Sequence, residues 1–122
     1  MAKSPTERTL AELRSRGITA GICERWLAHV HRGGGGFGIR RDLFGWIDII
    51  AICPRRGVGA VQSTGTDFAA HWRKLQEDRR VAVLQWLESG AWGELWGWRK
   101  LKGVYVPRVK ELTLLDFGSL LA

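Results

Sequence analysis

The chain has 122 residues, of which 45% are hydrophobic and 25% are charged. This composition is typical of one soluble globular domain and excludes a disordered chain. No apolar run approaches the ~20 residues of a membrane span, and residues 1–10 lack the apolar core of a signal peptide. We therefore expect a cytoplasmic protein whose two cysteines, Cys23 and Cys53, are free, buried thiols.

The net charge is +7, and most of the positive charge is arginine. A field of this sign attracts polyanions, nucleic acid first among them. The alternative is a solvated basic surface without a nucleic-acid partner, since a high isoelectric point is not a motif.

The first predicted element is a helix with a strong start signal. Ser4 can cap it, Pro5 takes the first helical position, Glu7 completes a capping box, and Gly17 ends it. A strand is predicted over residues 18–24 from alternating apolar positions.

The Gly33–Gly36 run predicts a mobile loop within residues 29–38. His29 and His31 precede it and could be metal ligands. Because no cysteine or third histidine accompanies them, a surface loop is the favoured interpretation.

The second predicted strand covers residues 44–53 and is apolar on both faces, which places it inside a covered sheet. Residues 53–57 form a turn, and residues 58–64 form a third strand antiparallel to the second.

Helices are then predicted from Thr66-Asp67 onward and over residues 79–88. A fourth strand covers residues 92–98, and two short edge strands cover 104–106 and 109–112, with Pro107 between them. A last helical turn is predicted in the tail. This order predicts a single α/β domain over residues 1–122, with a mixed central sheet flanked by helices. Its core covers about residues 4–100, and residues 101–122 form a C-terminal extension.

Asp48 is an acid inside the most hydrophobic predicted strand. A buried carboxylate costs several kcal/mol unless it is paired or binds a metal. One interpretation is therefore an ion pair with Arg40 or Arg41, or an outward position at the end of the sheet.

The other interpretation is a metal site. Alternation places Gln62 and Thr64 on one face of the third strand, and the hairpin can bring that face beside Asp48. Glu7 can reach the same place if the first helix packs across the sheet. Carboxylate and amide oxygens are ligands that magnesium prefers.

Four segments in this order resemble the PD-(D/E)xK nuclease superfamily: TERTLAELRSRGI, RRDLFGWIDIIAI, AVQST and ELWGWRK. The likeness is to its Holliday-junction-resolvase-like branch and to small phage nuclease-like proteins. The resemblance implies a restriction-endonuclease-like αβββαβ core and a DNA endonuclease that uses Mg²⁺ or Mn²⁺. It also implies branched or junction DNA as a candidate substrate, and a homodimer.

The superfamily pattern is a Glu on the first helix, an Asp in the second strand and (Glu or Gln)-x-Lys in the third. On this chain it falls on Glu7, Asp48 and Gln62, with Thr64 at the lysine position. Asp42 is a less favoured metal ligand in place of Glu7. Thr64 departs from the pattern because it has no charge, and Gln62 leaves the site one negative charge short.

Lys74 and Lys100 could supply the missing ammonium group, although ordinary solvated lysines are the favoured interpretation. Trp96 and Trp98 would stack on unpaired bases if exposed; a buried sheet face is the alternative. The residues predicted to contact DNA are Arg40, Arg41, Arg55, Arg56, Arg73, Lys74, Arg99 and Lys100.

Two other classes of function stay open. One is a nuclease-fold protein that binds nucleic acid with weak catalysis or none. The other is a phage-type protein-interaction module whose basic face binds a protein.

Overall fold

The computed structural model describes residues 3–23, 25–27 and 39–118, with the backbone alone described for residues 25–27 and 39–41. His29, His31 and the Gly33–Gly36 run lie outside the described residues. The elements are α1 (Pro5–Ser15), β1 (Thr19–Ile22), β2 (Arg25–Leu27), β3 (Ile39–Arg41), β4 (Ile49–Cys53), β5 (Gly57–Thr64), α2 (Phe68–Glu77), α3 (Arg80–Glu88), β6 (Trp92–Leu101), β7 (Val104–Glu111) and α4 (Leu114–Phe117).

The main sheet has five strands in the order β1-β4-β5-β6-β7. Every neighbouring pair is antiparallel except β5 and β6, which run parallel and are joined through α2 and α3. The strands β2 and β3 form a separate two-stranded sheet. The predicted α/β class with a mixed central sheet is confirmed.

Apolar side chains cover both faces of the sheet. On one face, Leu13 of α1 belongs to a buried cluster with Val61 and Trp96. On the other face, the buried cluster joins α2, α3 and α4 to Ala60 and Leu95. We call these the α1 face and the α2 face.

The predicted helix start is confirmed at α1. The Ser4 hydroxyl accepts a hydrogen bond from the Glu7 backbone N–H at 3.1 Å, which satisfies one of the donors left free at a helix N-terminus. Gly17 follows the helix with a φ of 78°, a left-handed conformation that glycine adopts without strain.

The strand predicted over residues 44–53 is wrong in its first half. Phe44 and Gly45 have φ values of 56° and 78°, so the chain turns there, and Leu43 pairs with Ile47 across the turn. The Arg79 side chain donates a hydrogen bond to the Gly45 carbonyl at 2.9 Å, which ties this turn to the α2–α3 junction. The strand β4 begins only at Ile49.

The two predicted edge strands are in fact one strand, β7, which runs through Pro107. Pro107 lies opposite Trp98, and β7 is the last strand of the sheet. A proline is tolerated there because an edge strand has one row of N–H groups without a partner strand.

The predicted C-terminal extension is part of the same core. β6 continues to Leu101, beyond its predicted end at residue 98, and β7 extends the main sheet. Leu112 and Phe117 belong to the buried cluster on the α2 face. Cys23 and Cys53 are each only partly buried, and among the described residues neither forms a disulfide. Among the described residues, no helix is long and apolar enough to cross a membrane.

Candidate functional site

Asp48 lies at the bend immediately before β4 and is 5% exposed. Its backbone N–H donates to the Val61 carbonyl at 3.0 Å, and its carboxylate accepts from the Ser63 backbone N–H at 2.7 Å. The described β4–β5 pairing ends at Ile49 and Val61. The carboxylate therefore binds a backbone donor of β5 just beyond the end of that pairing.

Gln62 lies between the two β5 residues that Asp48 contacts. The regular register is interrupted there, because the Asp48 N–H binds the carbonyl of Val61, the residue that already pairs with Ile49. Gln62 is 6% exposed, and its Oε1 has no hydrogen-bond donor among the described residues. A buried acceptor left in this state costs about 1–3 kcal/mol. An amide oxygen next to a buried carboxylate is therefore suited to accept a water or a cation.

Thr64 is buried, and its hydroxyl lies 3.1 Å from the His71 Nδ1 on α2. The same Nδ1 lies 3.0 Å from the Asp67 carbonyl and 3.8 Å from the Asp67 carboxylate. A nucleophile–histidine–acid relay needs the two partners on opposite ring nitrogens. Thr64 is therefore held by His71 without being activated as a nucleophile.

The alternation predicted for β5 is confirmed by contacts on both faces. Thr64 contacts α2, whereas the Ser63 hydroxyl donates to the Thr9 hydroxyl of α1 at 2.9 Å. The side chains of Gln62 and Thr64 thus share the α2 face.

Glu7 is exposed on α1. The N-terminus of α1 reaches the end of β5, because a Cβ on Gly65 would lie 3.9 Å from Pro5. Thr9, however, makes the described hydrogen bond from α1 to β5. The role of Glu7 as a metal ligand stays a prediction. Asp42 is partly buried immediately after β3, and its role also stays a prediction.

The described residues contain no group of three or more His, Cys, Asp and Glu side chains that could hold a metal ion. Asp48 and Gln62 contribute one carboxylate and one orphaned amide oxygen. This donor set fits a hard cation such as Mg²⁺ or Mn²⁺ that keeps most of its water ligands. The affinity of such a site is expected to be low, because only one ligand is charged.

The residues predicted to contact DNA do not form one patch. Arg55 and Arg56 lie in the turn before β5, whereas Arg99 and Lys100 follow the residues of β6 that pair with the end of β5. The eight residues of β5 separate these two positions, about 25 Å at the rise of an extended strand. Arg73 and Lys74 are exposed on α2, and the side chains of Arg40 and Arg41 lie outside the described residues.

Arg56 is already engaged within the protein. Its guanidinium lies 2.8 Å from Glu94 and 3.6 Å from Glu111, and it stacks over the Trp92 ring at 4.2 Å. The two glutamates thus largely balance the positive charge of Arg56. Arg56 is therefore a weaker candidate for phosphate contact than Arg55, which is exposed.

Trp96 and Trp98 are 1% and 7% exposed. Both belong to the buried cluster on the α1 face, so the interpretation as a buried sheet face is confirmed. The exposed aromatic ring near them is Tyr105, which is flanked by Arg8 at 3.5 Å and Lys100 at 5.5 Å.

Sequence reasoning did not identify Arg108, which lies opposite Gly97 of the neighbouring strand β6. The sequence feature that could have drawn attention to this region is Gly97. A glycine inside an otherwise tryptophan-rich strand indicates that another group approaches the backbone closely. That group is the Phe68 ring, which a Cβ on Gly97 would meet at 2.5 Å.

Comparisons of this chain with protein-family models, with curated proteins and with solved structures find no match.

Proposed function

We propose that this protein is a metal-dependent DNA phosphodiesterase with a nuclease-like αβββαβ core. The observation that carries the proposal is the pair formed by Asp48 and Gln62. Asp48 is buried and bonded to both neighbours of Gln62 in β5, and the buried Gln62 Oε1 has no donor among the described residues. A purely structural role for Asp48 would not explain why the buried Gln62 oxygen has no hydrogen-bond donor among the described residues.

The sheet topology supports the same proposal. β1, β4 and β5 are neighbouring antiparallel strands of the sheet, although β2 and β3 lie between β1 and β4 in the chain, and a helical crossover leads to the parallel strand β6. α1 precedes them and packs on the opposite face from α2. Once β2 and β3 are set aside, this order is compatible with the αβββαβ core that the resemblance implies.

Asp48 and Gln62 would hold Mg²⁺ or Mn²⁺ in this proposal. A bound divalent cation polarises a phosphate oxygen and activates water for hydrolysis. The Ser63 N–H fixes one carboxylate oxygen of Asp48, and burial holds the Gln62 amide in a dry environment. Thr64 carries no charge to stabilise the attacked phosphate. We therefore expect slow cleavage that Mn²⁺ supports better than Mg²⁺, since Mn²⁺ binds such mixed sites more tightly.

The Asp48→Asn variant should reduce plasmid nicking with Mn²⁺ to the level of a protein-free reaction. Asparagine keeps an oxygen that can accept the Ser63 N–H, so the variant should stay folded while losing the charged ligand. Wild-type protein should also gain thermal stability from Mn²⁺ by mass action, and Asp48→Asn should lose that gain. Nicking is read on gels, and stability is read by thermal melting.

A matched control is Glu77→Gln, which removes an exposed acid at the C-terminal end of α2. It should nick and melt like the wild type. Gln62→Glu should raise the nicking rate, because a second carboxylate tightens the metal. If well-folded wild-type and Gln62→Glu proteins are both inert with Mg²⁺ and Mn²⁺, the proposed catalytic function is wrong.

A second candidate is a DNA-binding protein that keeps the nuclease-like fold without catalysis. The observation that favours it is Thr64, which occupies the lysine position and is bound to His71 instead of being free to face a substrate. Inert but DNA-binding wild-type protein would establish this function.

DNA affinity should fall steeply with salt for either candidate. Each neutralised phosphate contributes a slope of about −0.9 to log affinity against log salt concentration. The measurement is fluorescence anisotropy in EDTA with duplex, single-stranded and four-way-junction DNA. Tighter binding to the junction by two protein chains would support a resolvase-like homodimer. If the protein binds none of the three DNA forms at low salt, both DNA-related functions are wrong, and the protein-interaction module is the remaining candidate.

A further inference from the structure

A cleft of 190 Å³ opens at the end of the parallel strands β5 and β6. It is lined by Gly65, Thr66, Phe68, Gly97, Arg99 and Arg108. This position lies beyond the carboxyl end of β5 and beside the last part of β6, which continues to Leu101. Neither Asp48 nor Gln62 lines the cleft, so it is distinct from the candidate metal site.

The strand register builds one wall of the cleft. Gly97 lies between Thr64 of β5 and Arg108 of β7. A Cβ at residue 97 would lie 2.5 Å from the Phe68 Cδ2, so glycine lets the Phe68 ring rest on the strand. The Arg108 guanidinium lies over that ring, 4.1 Å from its centroid. The ring therefore orients a planar cation against the cleft wall.

Arg99 supplies the second cation. It lies two residues beyond Gly97 on β6, so alternation places both arginines on the α2 face. Both are exposed, and among the ion pairs of the described residues none includes Arg99 or Arg108. Asp67 is the acid next to the cleft residues in sequence, and its carboxylate lies 3.8 Å from His71.

Two guanidinium groups that have no acid partner among the described residues and that share one cleft are suited to bind a phosphate, whose oxygens match the fork of the arginine donors. We propose that the Arg99–Arg108 cleft binds a backbone phosphate of DNA. The proposal rests on the proposed function, because it takes DNA as the ligand. Arg108 on β7 lies three strands from β4, which Asp48 precedes, or about 14 Å at the usual spacing of strands. The phosphate bound in the cleft is therefore not the same group as one bound at Asp48.

The test measures DNA affinity of the full-length chain by anisotropy in EDTA, so that cleavage plays no part. Arg99→Gln and Arg108→Gln should each weaken duplex binding about tenfold or more, as expected for a charge-assisted bond. Each variant should also make the slope of log affinity against log salt concentration less negative by about 0.9, the contribution of one phosphate contact. Arg14→Gln is the matched control, since it removes the same charge from an exposed residue of α1 that is not among the residues predicted to contact DNA.

If Arg99→Gln and Arg108→Gln, each shown to be folded by thermal melting, weaken binding no more than Arg14→Gln does, the cleft proposal is wrong while DNA binding stands. If the wild type binds no DNA, both this proposal and the proposed function fail. A parallel titration of the protein with inorganic phosphate distinguishes binding of DNA from binding of free phosphate. Phosphate binding that depends on Arg99 and Arg108 without DNA binding would assign the cleft to free phosphate and overturn the nucleic-acid assignment.

Discussion

The Gly59→Ala variant is expected to lose about 3 kcal/mol of folding stability, the upper end of the usual cost of overpacking a core. Gly59 pairs with Ala51 of β4 and Trp92 of β6. A Cβ at residue 59 would overlap the Trp92 indole ring. That ring cannot move freely, because its Nε1 donates to the Gly57 carbonyl at 2.9 Å and Arg56 stacks on it.

Urea denaturation measures this loss, and Gly21→Ala is its control. Gly21 is also a strand glycine, but a Cβ there meets nothing within 4 Å. Its replacement should change stability by no more than about 0.5 kcal/mol. In a Trp92→Leu background, Gly59→Ala should cost much less, because the two sites couple through direct contact. Equal losses for Gly59→Ala and Gly21→Ala would contradict the described packing of Trp92.

The Thr9→Val variant should lose about 1–3 kcal/mol, the usual cost of leaving buried polar groups without partners. Thr9 is fully buried between α1 and the sheet. Its hydroxyl donates to the Pro5 carbonyl at 2.9 Å and accepts from Ser63 at 2.9 Å and from the Trp98 Nε1 at 2.8 Å. One donor and two acceptor positions are the whole capacity of a hydroxyl. Valine keeps the shape and removes all three bonds.

Thr9→Ser is the matched control, since it retains the hydroxyl and should retain most of the stability. A double-mutant cycle with Trp98→Phe isolates the contact with Trp98. Phenylalanine has no N–H to leave unsatisfied, so Thr9→Val should cost less in that background. A cost for Thr9→Val that is unchanged by Trp98→Phe would show that the Trp98 bond adds nothing to stability.

Local signals in the sequence predicted much of the fold. Ser4, Pro5 and Gly17 define α1 by capping chemistry that acts within a few residues. The turn before β5 pairs Cys53 with Gly57 as the short connection requires. These elements were predictable because each depends on neighbours in the chain.

Two errors have tertiary causes. Phe44 adopts a left-handed conformation inside an apolar run, and the turn that results is tied to Arg79, which is remote in sequence. In the sequence, Pro107 predicts a break between two strands, and it is compatible with one strand only if that strand lies at the edge of the sheet. Periodicity carries no information about either arrangement.

The candidate site was predicted in part. The neighbourhood of Asp48 and Gln62 followed from the hairpin, and the shared face of Gln62 and Thr64 followed from alternation. The bond from Ser63 to Asp48 could not be foreseen, because it depends on where β4 ends. The Arg99–Arg108 cleft depends on pairing between β6 and β7 and on a helix that starts elsewhere in the chain.

The position of β7 at the edge of the sheet bears on where the chain can be cut. A chain ending near residue 100, at the close of the segments that resemble nucleases, would lose β7 together with Leu112 and Phe117. β6, with its buried Trp96 and Trp98, would then become an edge strand with unpaired backbone groups. Exposed apolar edges of this kind associate with other chains. We therefore expect a version cut near residue 100 to self-associate, and a version that extends to Phe117 to keep β6 covered.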